Sequence, residues 1–326
     1  MITRFLTYTG ITALLLAGCV FSYQQVSAYE KEMIPRPDEV YGDFVVGPTK
    51  IDLTIEPGES RQVELMVTNR MGSRRVFNLV TEDAKGSDDP TTAVVLLGDD
   101  RGPYSLKDYI HFEETSFELD QGERARIPVT ISVPADAQPG GLYGSALVTT
   151  SSLPGDDDSV RTGAKPGSII VSRVGALFFI TVPGAVAKDG RLEEFALVPK
   201  GKQFFEKGPM QFQILFRNNG TVHLNPSAEI SIKNFFGEEV GFLAVDPWYA
   251  FPQSLRMREV SWDRAHLFGR YTAELTLQRN YDGTADTATV TFYVIPWMLL
   301  AAAFGGLVVV FFVLRFILRS FEIKRR

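Results

Sequence analysis

Cysteine is nearly missing from this 326-residue chain, in which Cys19 is the only one. It lies in a leader-like stretch, so a mature chain beginning after Ala28 has none. That excludes disulfides, thiolate metal sites and thiol nucleophiles. Histidine is scarce as well: His111, His223 and His266 sit on separate segments, no two at metal-ligand spacing and none within an HExxH helix motif. There is no Gly-x-Ser-x-Gly elbow and no glycine-rich loop leading from a strand into a helix. Neighbouring carboxylates occur only in Gly/Pro/Ser-rich stretches, at Asp88-Asp89, Asp99-Asp100 and Asp156-Asp157-Asp158. Such oxygens suit calcium, but none has EF-hand spacing, and they read as solvated loops. The expectation is a protein that is not an enzyme, with no cofactor, no metal and no catalytic residue.

What the chain does have begins at its C-terminal end. Ile295 to Leu314 is an uncharged, mostly apolar run of 20 residues, followed by Arg315, Arg319, Lys324, Arg325 and Arg326. At about 1.5 Å per residue such a helix crosses the roughly 30 Å hydrocarbon layer. The basic residues after it mark the cytoplasmic side. The N-terminal end shows Arg4, an apolar Ile11–Phe21 too short to span a bilayer, and the small-residue pattern Val26-Ser27-Ala28. This reads as a signal peptide cleaved between Ala28 and Tyr29. A competing reading takes Leu16-Ala17-Gly18-Cys19 as a lipobox with Cys19 lipidated. A lipid beside a spanning helix would be redundant. The protein is thus expected in a cell membrane, single-pass, with its N-terminal domains outside the cytoplasm.

The chain carries −6; the leader is +1 and the residues from Ile295 onward are +4, which leaves −11 on the stretch between. An acidic surface excludes nucleic acid as a partner. Periodicity in that stretch is two almost throughout. Val63, Leu65 and Val67 alternate with polar neighbours, as do Ile127 to Val133, Phe212 to Phe216, Tyr271 to Leu277 and Val290 to Val294. Short alternating runs broken by Gly, Pro and Asn predict an all-β chain: two immunoglobulin-like β-sandwich domains in tandem, plus one C-terminal transmembrane helix. Only short stretches such as Ser105–Ile110 look helical.

The expected limits are a signal peptide over 1–28, a linker over 29–42, and a first sandwich over 43–184. A second sandwich follows over 185–294, then the membrane helix over 295–317 and a basic tail over 318–326. The break falls at Pro183-Gly184, after a strand, Arg173 to Val182, apolar enough to be buried on both faces. Each half has a late Gly-x-Tyr, at Gly141-Leu142-Tyr143 and Gly269-Arg270-Tyr271, like the tyrosine corner of immunoglobulin-like domains. Pro57-Gly58-Glu59 and Gln121-Gly122-Glu123 predict turns whose glycines take positive φ. Asn219-Gly220 predicts another tight turn, and with Thr221 it also forms a glycosylation sequon. The long segment Glu82–Tyr109 reads as a recognition loop or a mobile insertion with a short strand near Val94–Leu97. Aromatic pairs cluster in the second half, at Phe204-Phe205, Phe235-Phe236 and Trp248-Tyr249 with Phe251. One of each strand-borne pair must face outward, though packing is the expected role for most.

In order, these features resemble the WxL-interacting proteins of bacterial cell surfaces. The likeness rests on Phe44-Val45-Val46-Gly47-Pro48, Pro57-Gly58-Glu59, Val67-Thr68-Asn69, Val133-Pro134 and Pro139-Gly140-Gly141. Periplasmic pilus chaperones open similarly. The family's Thr-Asn-Gly stretch is replaced here by Asp83-Ala84-Lys85-Gly86-Ser87-Asp88-Asp89. The resemblance implies a peptidoglycan-binding-type domain followed by a host-binding-type domain. The expected function is adhesion: contact with cell-wall polymer or other surface proteins through the sandwiches. The alternative is an envelope chaperone or assembly subunit that offers a strand edge to exported partners.

Overall fold

A computed structural model describes residues 29–151 and 171–320. The leader, with Cys19 and Ala28, the Asp156-Asp157-Asp158 stretch and the tail from residue 321 lie outside the described residues. Two β-sandwiches and one helix account for nearly all regular structure.

In the first sandwich one sheet has the order β1 (Glu30–Met33), β9 (Glu123–Ser132), β4 (Ser60–Arg70), β2 (Asp43–Gly47). The short β7 (Ile110–Phe112) also pairs with β9. The facing sheet runs β3 (Lys50–Thr54), β11 (Val171–Val182), β10 (Gly140–Ser151), β5 (Arg75–Lys85), with β6 (Val95–Leu96) and β8 (Ser116–Leu119) on the far side of β5. The alternation does what it predicts: Ile127, Val129 and Ile131 on β9 are buried against Phe77, Leu79 and Val148 of the other sheet. Each such side chain contributes roughly 1.5–3 kcal/mol of burial. The turn glycines Gly58 and Gly122 have φ of 82° and 78°.

The second sandwich packs β12 (Gly190–Val198), β14 (Met210–Asn218) and β17 (Ser254–Trp262) against a second sheet. That sheet is β13 (Phe204–Phe205), β19 (Ala285–Val294), β18 (Gly269–Gln278), β15 (Ser227–Asn234) and β16 (Glu239–Val245). Phe212, Ile214 and Phe216 from one sheet meet Ile230, Leu275 and Phe292 from the other. Two asparagines do the same job in the two domains. Asn69 and Asn218, both fully buried, lie at the ends of strands β4 and β14, Asn69 one residue before the last. Asn69 donates to the carbonyls of Ser73 and Leu119 and accepts from Met71 N–H. Asn218 donates to Val222 and Ala250 and accepts from Gly220 N–H. The predicted Asn219-Gly220 turn is therefore organised by the residue before it.

Three sequence expectations are corrected. Residues 29–42 are not merely a linker: β1 pairs with β9 over Glu30–Met33, and Tyr29 packs 5.3 Å from Phe117. The apolar C-terminal helix, α1, starts at Trp297 and runs to Ser320, rather than covering 295–317. Ile295 lies before the helix, its N–H bonded to the Phe205 carbonyl. The segment Glu82–Tyr109 has the short strand expected near Val94–Leu97, as β6, but it is tied down rather than a free loop. Leu96 and Val95 pair with Ala84 and Lys85, a 3-10 turn forms at Lys107–Tyr109, and Asp83 gathers the rest. Its carboxylate accepts the N–H groups of Gly102, Leu106 and Lys107, each at 2.9 Å. Burial pushes the Asp83 carboxyl up, but these bonds and one from Ser105 outweigh it and hold it below the usual range.

Candidate binding edge and the domain junction

β11 is a 12-residue strand paired with β10 along its whole length, Val171 opposite Ser151 through Val182 opposite Gly140. On its other side β3 pairs in parallel with Leu177–Thr181 only. Leu177 donates to the Thr49 carbonyl and Thr181 accepts from Ile55, so odd-numbered residues aim their main-chain groups toward β3. By the same two-residue repeat, Arg173 and Gly175 aim theirs past the end of β3. Among the described residues nothing pairs with that edge over Val171–Ala176. Even-numbered Ala176, Phe178 and Ile180 point into the core and are fully buried, yet Val174 on the same face is 39% exposed. The sandwich is thus open at this corner. Gly175 keeps the strand close to β10, because a Cβ there would lie 2.5 Å from the Ala146 carbonyl oxygen. Arg173 pairs with the buried Glu82 two strands away.

The other end of β11 explains why its sequence is apolar on both faces. Phe179 points away from the first core and is covered by the second domain, with its ring 5.1 Å from those of Tyr249 and Phe251. Tyr143 beside it is fully buried, and its hydroxyl accepts the His223 N–H at 2.6 Å. Burial raises the Tyr143 pKa well above the ordinary phenol. So the first Gly-x-Tyr ties one domain to the next, whereas Tyr271 makes the local corner, bonding the N–H and carbonyl of Phe268 at 3.2 Å.

Around this aromatic centre the His223 ring meets Asp52 at 3.2 Å, Lys50 meets Asp52 at 3.0 Å, and the Lys50 ammonium lies 4.6 Å from the Phe179 ring centre. Half-burial pushes the Asp52 carboxyl up, but His223 and Lys50 more than compensate, and its pKa is lowered. Main-chain bonds also cross the junction, from Gly141 to Thr221 and from Met257 to Pro90. Gly86 is needed for this approach: a Cβ would meet that of Ser254 at 2.4 Å. The segment expected to recognise a ligand therefore holds the two domains together through its residues 86–91.

A second concavity, of about 330 Å³, lies on the opposite sheet between Tyr41, Val45, Arg70 and Arg124. The Arg70 guanidinium sits 4.4 Å from the Tyr41 ring centre, and Arg70 and Arg124 are already paired with Asp43 and Glu32. It offers an aromatic shelf with neutralised charge.

The remaining expected residues do not converge. His111 on β7 and His266 in the connection before β18 are both exposed and far apart in the chain. Asp89 caps its own loop through Thr91 and Thr92. Among the described residues no three His, Cys, Asp or Glu side chains are grouped to hold a metal. Leu314, Arg315 and Arg319 lie on α1, which is apolar and long enough to cross a membrane and has no buried segment. Sequence reasoning missed Val174 and the Asp52–His223–Tyr143 contact. The first needed the end of β3 to be known, the second the docking of two domains.

No family profile and no curated protein matches the chain. Among solved structures it is similar to the class 5 fimbriae chaperone CfaA (12% identity, TM-score 0.38, covering 78% of this chain and 100% of that one). It is also similar to the Escherichia coli chaperone DraB (11% identity, TM-score 0.32, covering 77% and 97%). A third is the Pseudomonas aeruginosa chaperone CupB2 (12% identity, TM-score 0.32, covering 76% and 100%).

Proposed function

We propose that this protein is a membrane-tethered binding subunit that takes an extended segment of another exported protein onto the open edge of β11. The observation that carries the reading is the side of Val171–Ala176 away from β10, which has no partner among the described residues, with Val174 exposed on the core-facing side of the same stretch. An added strand would satisfy the free main-chain groups of Arg173 and Gly175, and its apolar side chains would cover Val174. The tight domain junction supports the reading too, since it holds β11 rigid from the Phe179 end.

In this reading α1 is the anchor, both sandwiches lie outside the cytoplasm, and the tail after Arg319 lies inside. Trp297 to Leu314 at about 1.5 Å per residue gives roughly 27 Å before the first arginine, which suits one bilayer crossing with the positive end inward. Protease added outside intact cells then removes the chain up to Ile295; full protection would reverse the orientation.

The edge is tested by two substitutions at one position. Arg173→Ala and Arg173→Pro both lose the ion pair with Glu82, but only proline removes the N–H that faces the open side. Proline there leaves the β10 ladder intact. Adducts formed by crosslinking intact cells should persist in the alanine protein and fall in the proline protein. Equal yields from the two would sink the proposal.

A second reading, contact with cell-wall polymer, is favoured by the Tyr41 shelf, since an exposed ring beside paired arginines suits a sugar face. Co-sedimentation of the full chain with cell-wall sacculi, lost on Tyr41→Ala and kept on Arg173→Pro, would select it over the first.

A further inference from the structure

The end of the second domain next to α1 carries the most exposed aromatic side chains described in the two sandwiches. Phe204, Phe235, Phe236 and Phe268 are 60%, 69%, 82% and 67% exposed. The strand register places all four at one level. Asn234 is opposite Tyr271, and Tyr271 opposite Phe292, so the β15–β16 turn with Phe235 and Phe236 reaches the level of the end of β19. Phe204 is opposite Tyr293, and Phe268 immediately precedes Gly269, which is opposite Val294. Trp297, where α1 starts, is three residues beyond Val294, or roughly 10 Å at strand or loop spacing.

The phenyls are presented by built turns. Asn234 accepts the N–H groups of Phe236 and Glu238 and donates to the Glu238 carboxylate, and Gly237 takes a φ of 82°. Tyr271 grips both the N–H and the carbonyl of Phe268. A cleft of about 820 Å³ separates Leu267 and Phe268 from Met298 and Leu299 at the start of α1. Exposed Lys202, Lys207, Arg264 and Arg270 stand among them, offsetting Glu206, Asp263 and Glu238 at an end of an otherwise acidic ectodomain. Single exposed apolar residues are ordinary on protein surfaces, but four phenylalanines held outward at one end call for a partner.

We propose that this end of the second domain inserts its phenylalanine rim into the headgroup–acyl boundary of the bilayer that α1 crosses. The proposal rests on the anchor reading of α1 given above. Continuity decides the occupant: a helix that enters the hydrocarbon at Trp297 leaves residues two to four strand positions away, roughly 7–13 Å, beside the headgroups. Aromatic side chains favour that depth, and the cleft beside Met298 would be filled by lipid. The rim would fix the tilt of the ectodomain and so the height of the β11 edge above the membrane.

The test is nitroxide depth measurement on the full chain with Cys19→Ser, reconstituted in nanodiscs of mixed neutral and anionic phospholipid. Labels are placed singly at Leu307→Cys, Phe236→Cys, Phe268→Cys and Val174→Cys, and collision with oxygen is compared with collision with a water-soluble nickel chelate. Labels at 236 and 268 should favour oxygen over nickel more than the label at 174 and less than that at 307. A label at 307 in lipid with those at 236 and 268 fully open to nickel overturns the rim while keeping the anchor. Open access to nickel at 307 overturns the anchor and the rim together. Shielding of 236 and 268 from both reagents points to a second copy on this face and also overturns the proposal.

Discussion

Replacing Tyr143 by phenylalanine isolates one atom of the domain junction. The ring keeps its contacts with Phe179, Phe251 and Tyr104, at centroid distances of 5.5, 4.9 and 5.9 Å, while the hydroxyl that accepts the His223 N–H is lost. Tyr143 is fully buried, so the orphaned N–H faces phenyl rings rather than water. An unsatisfied buried donor costs about 1–3 kcal/mol. Taking about 2 kcal/mol, and a factor of ten per 1.4 kcal/mol, junction opening should become about thirtyfold more frequent. Hydrogen exchange followed by mass spectrometry reads this in peptides covering 221–225 and 142–146, which should both speed up while the cores of the two sandwiches do not. Tyr271→Phe is the internal comparison, because its two bonds are longer and end on the exposed Phe268. It should cost under about 1 kcal/mol. Equal exchange at 221–225 in Tyr143→Phe and the parent protein would refute the argument that this hydroxyl clamps the domains.

Asn218→Ala breaks three buried hydrogen bonds and should cost about 3 kcal/mol at roughly 1 each, with Asn69→Ala matching it; urea midpoints of the detergent-solubilised chain check both. The lowered carboxyls of Asp52 and Asp83 set a pH dependence. A depressed folded value means stability that is present above the unfolded value of about 4 and is lost as the pH falls through the folded one. Stability should therefore hold down to about pH 4 and drop below it, less steeply in Asp83→Asn; a flat acid limb in the parent chain contradicts this. Gly175→Ala forces a Cβ against the Ala146 carbonyl and should cost about 1–3 kcal/mol by overpacking, read as a lowered melting midpoint.

The sandwiches were legible because core burial imposes period two on strands such as β9, β14 and β18, whose apolar positions need no knowledge of their partners. β1 was not, because Glu30-Lys31-Glu32-Met33 is a solvent-facing edge strand held by cross-strand pairs of Glu32 with Arg124 and Arg126. Charge on an edge strand blunts pairing with other chains and erases the alternation that would reveal it. The apolar run of β11 was visible, but its reason was not: Phe178 serves the first core while Phe179 serves the junction. Phe235-Phe236 broke the rule that one of an adjacent pair faces inward, since both sit on a hairpin tip rather than in a strand. Packing, expected for the second-half aromatics, holds for Trp248 and Phe251 but not for Phe204, Phe235 or Phe236. The open edge itself was illegible because it depends on where β3 stops, and a five-residue strand gives no signal of its length relative to its neighbour.

The most direct measurement places the photocrosslinking residue benzoylphenylalanine at Val174 and, separately, at Val45 beside the Tyr41 shelf, in the full chain in living cells. Irradiation should give discrete protein adducts from position 174 that weaken when Arg173→Pro is added, and none of the same size from position 45. Adducts absent at 174, or unchanged by the proline, would contradict the claim that the open edge of β11 is where this protein takes its partner.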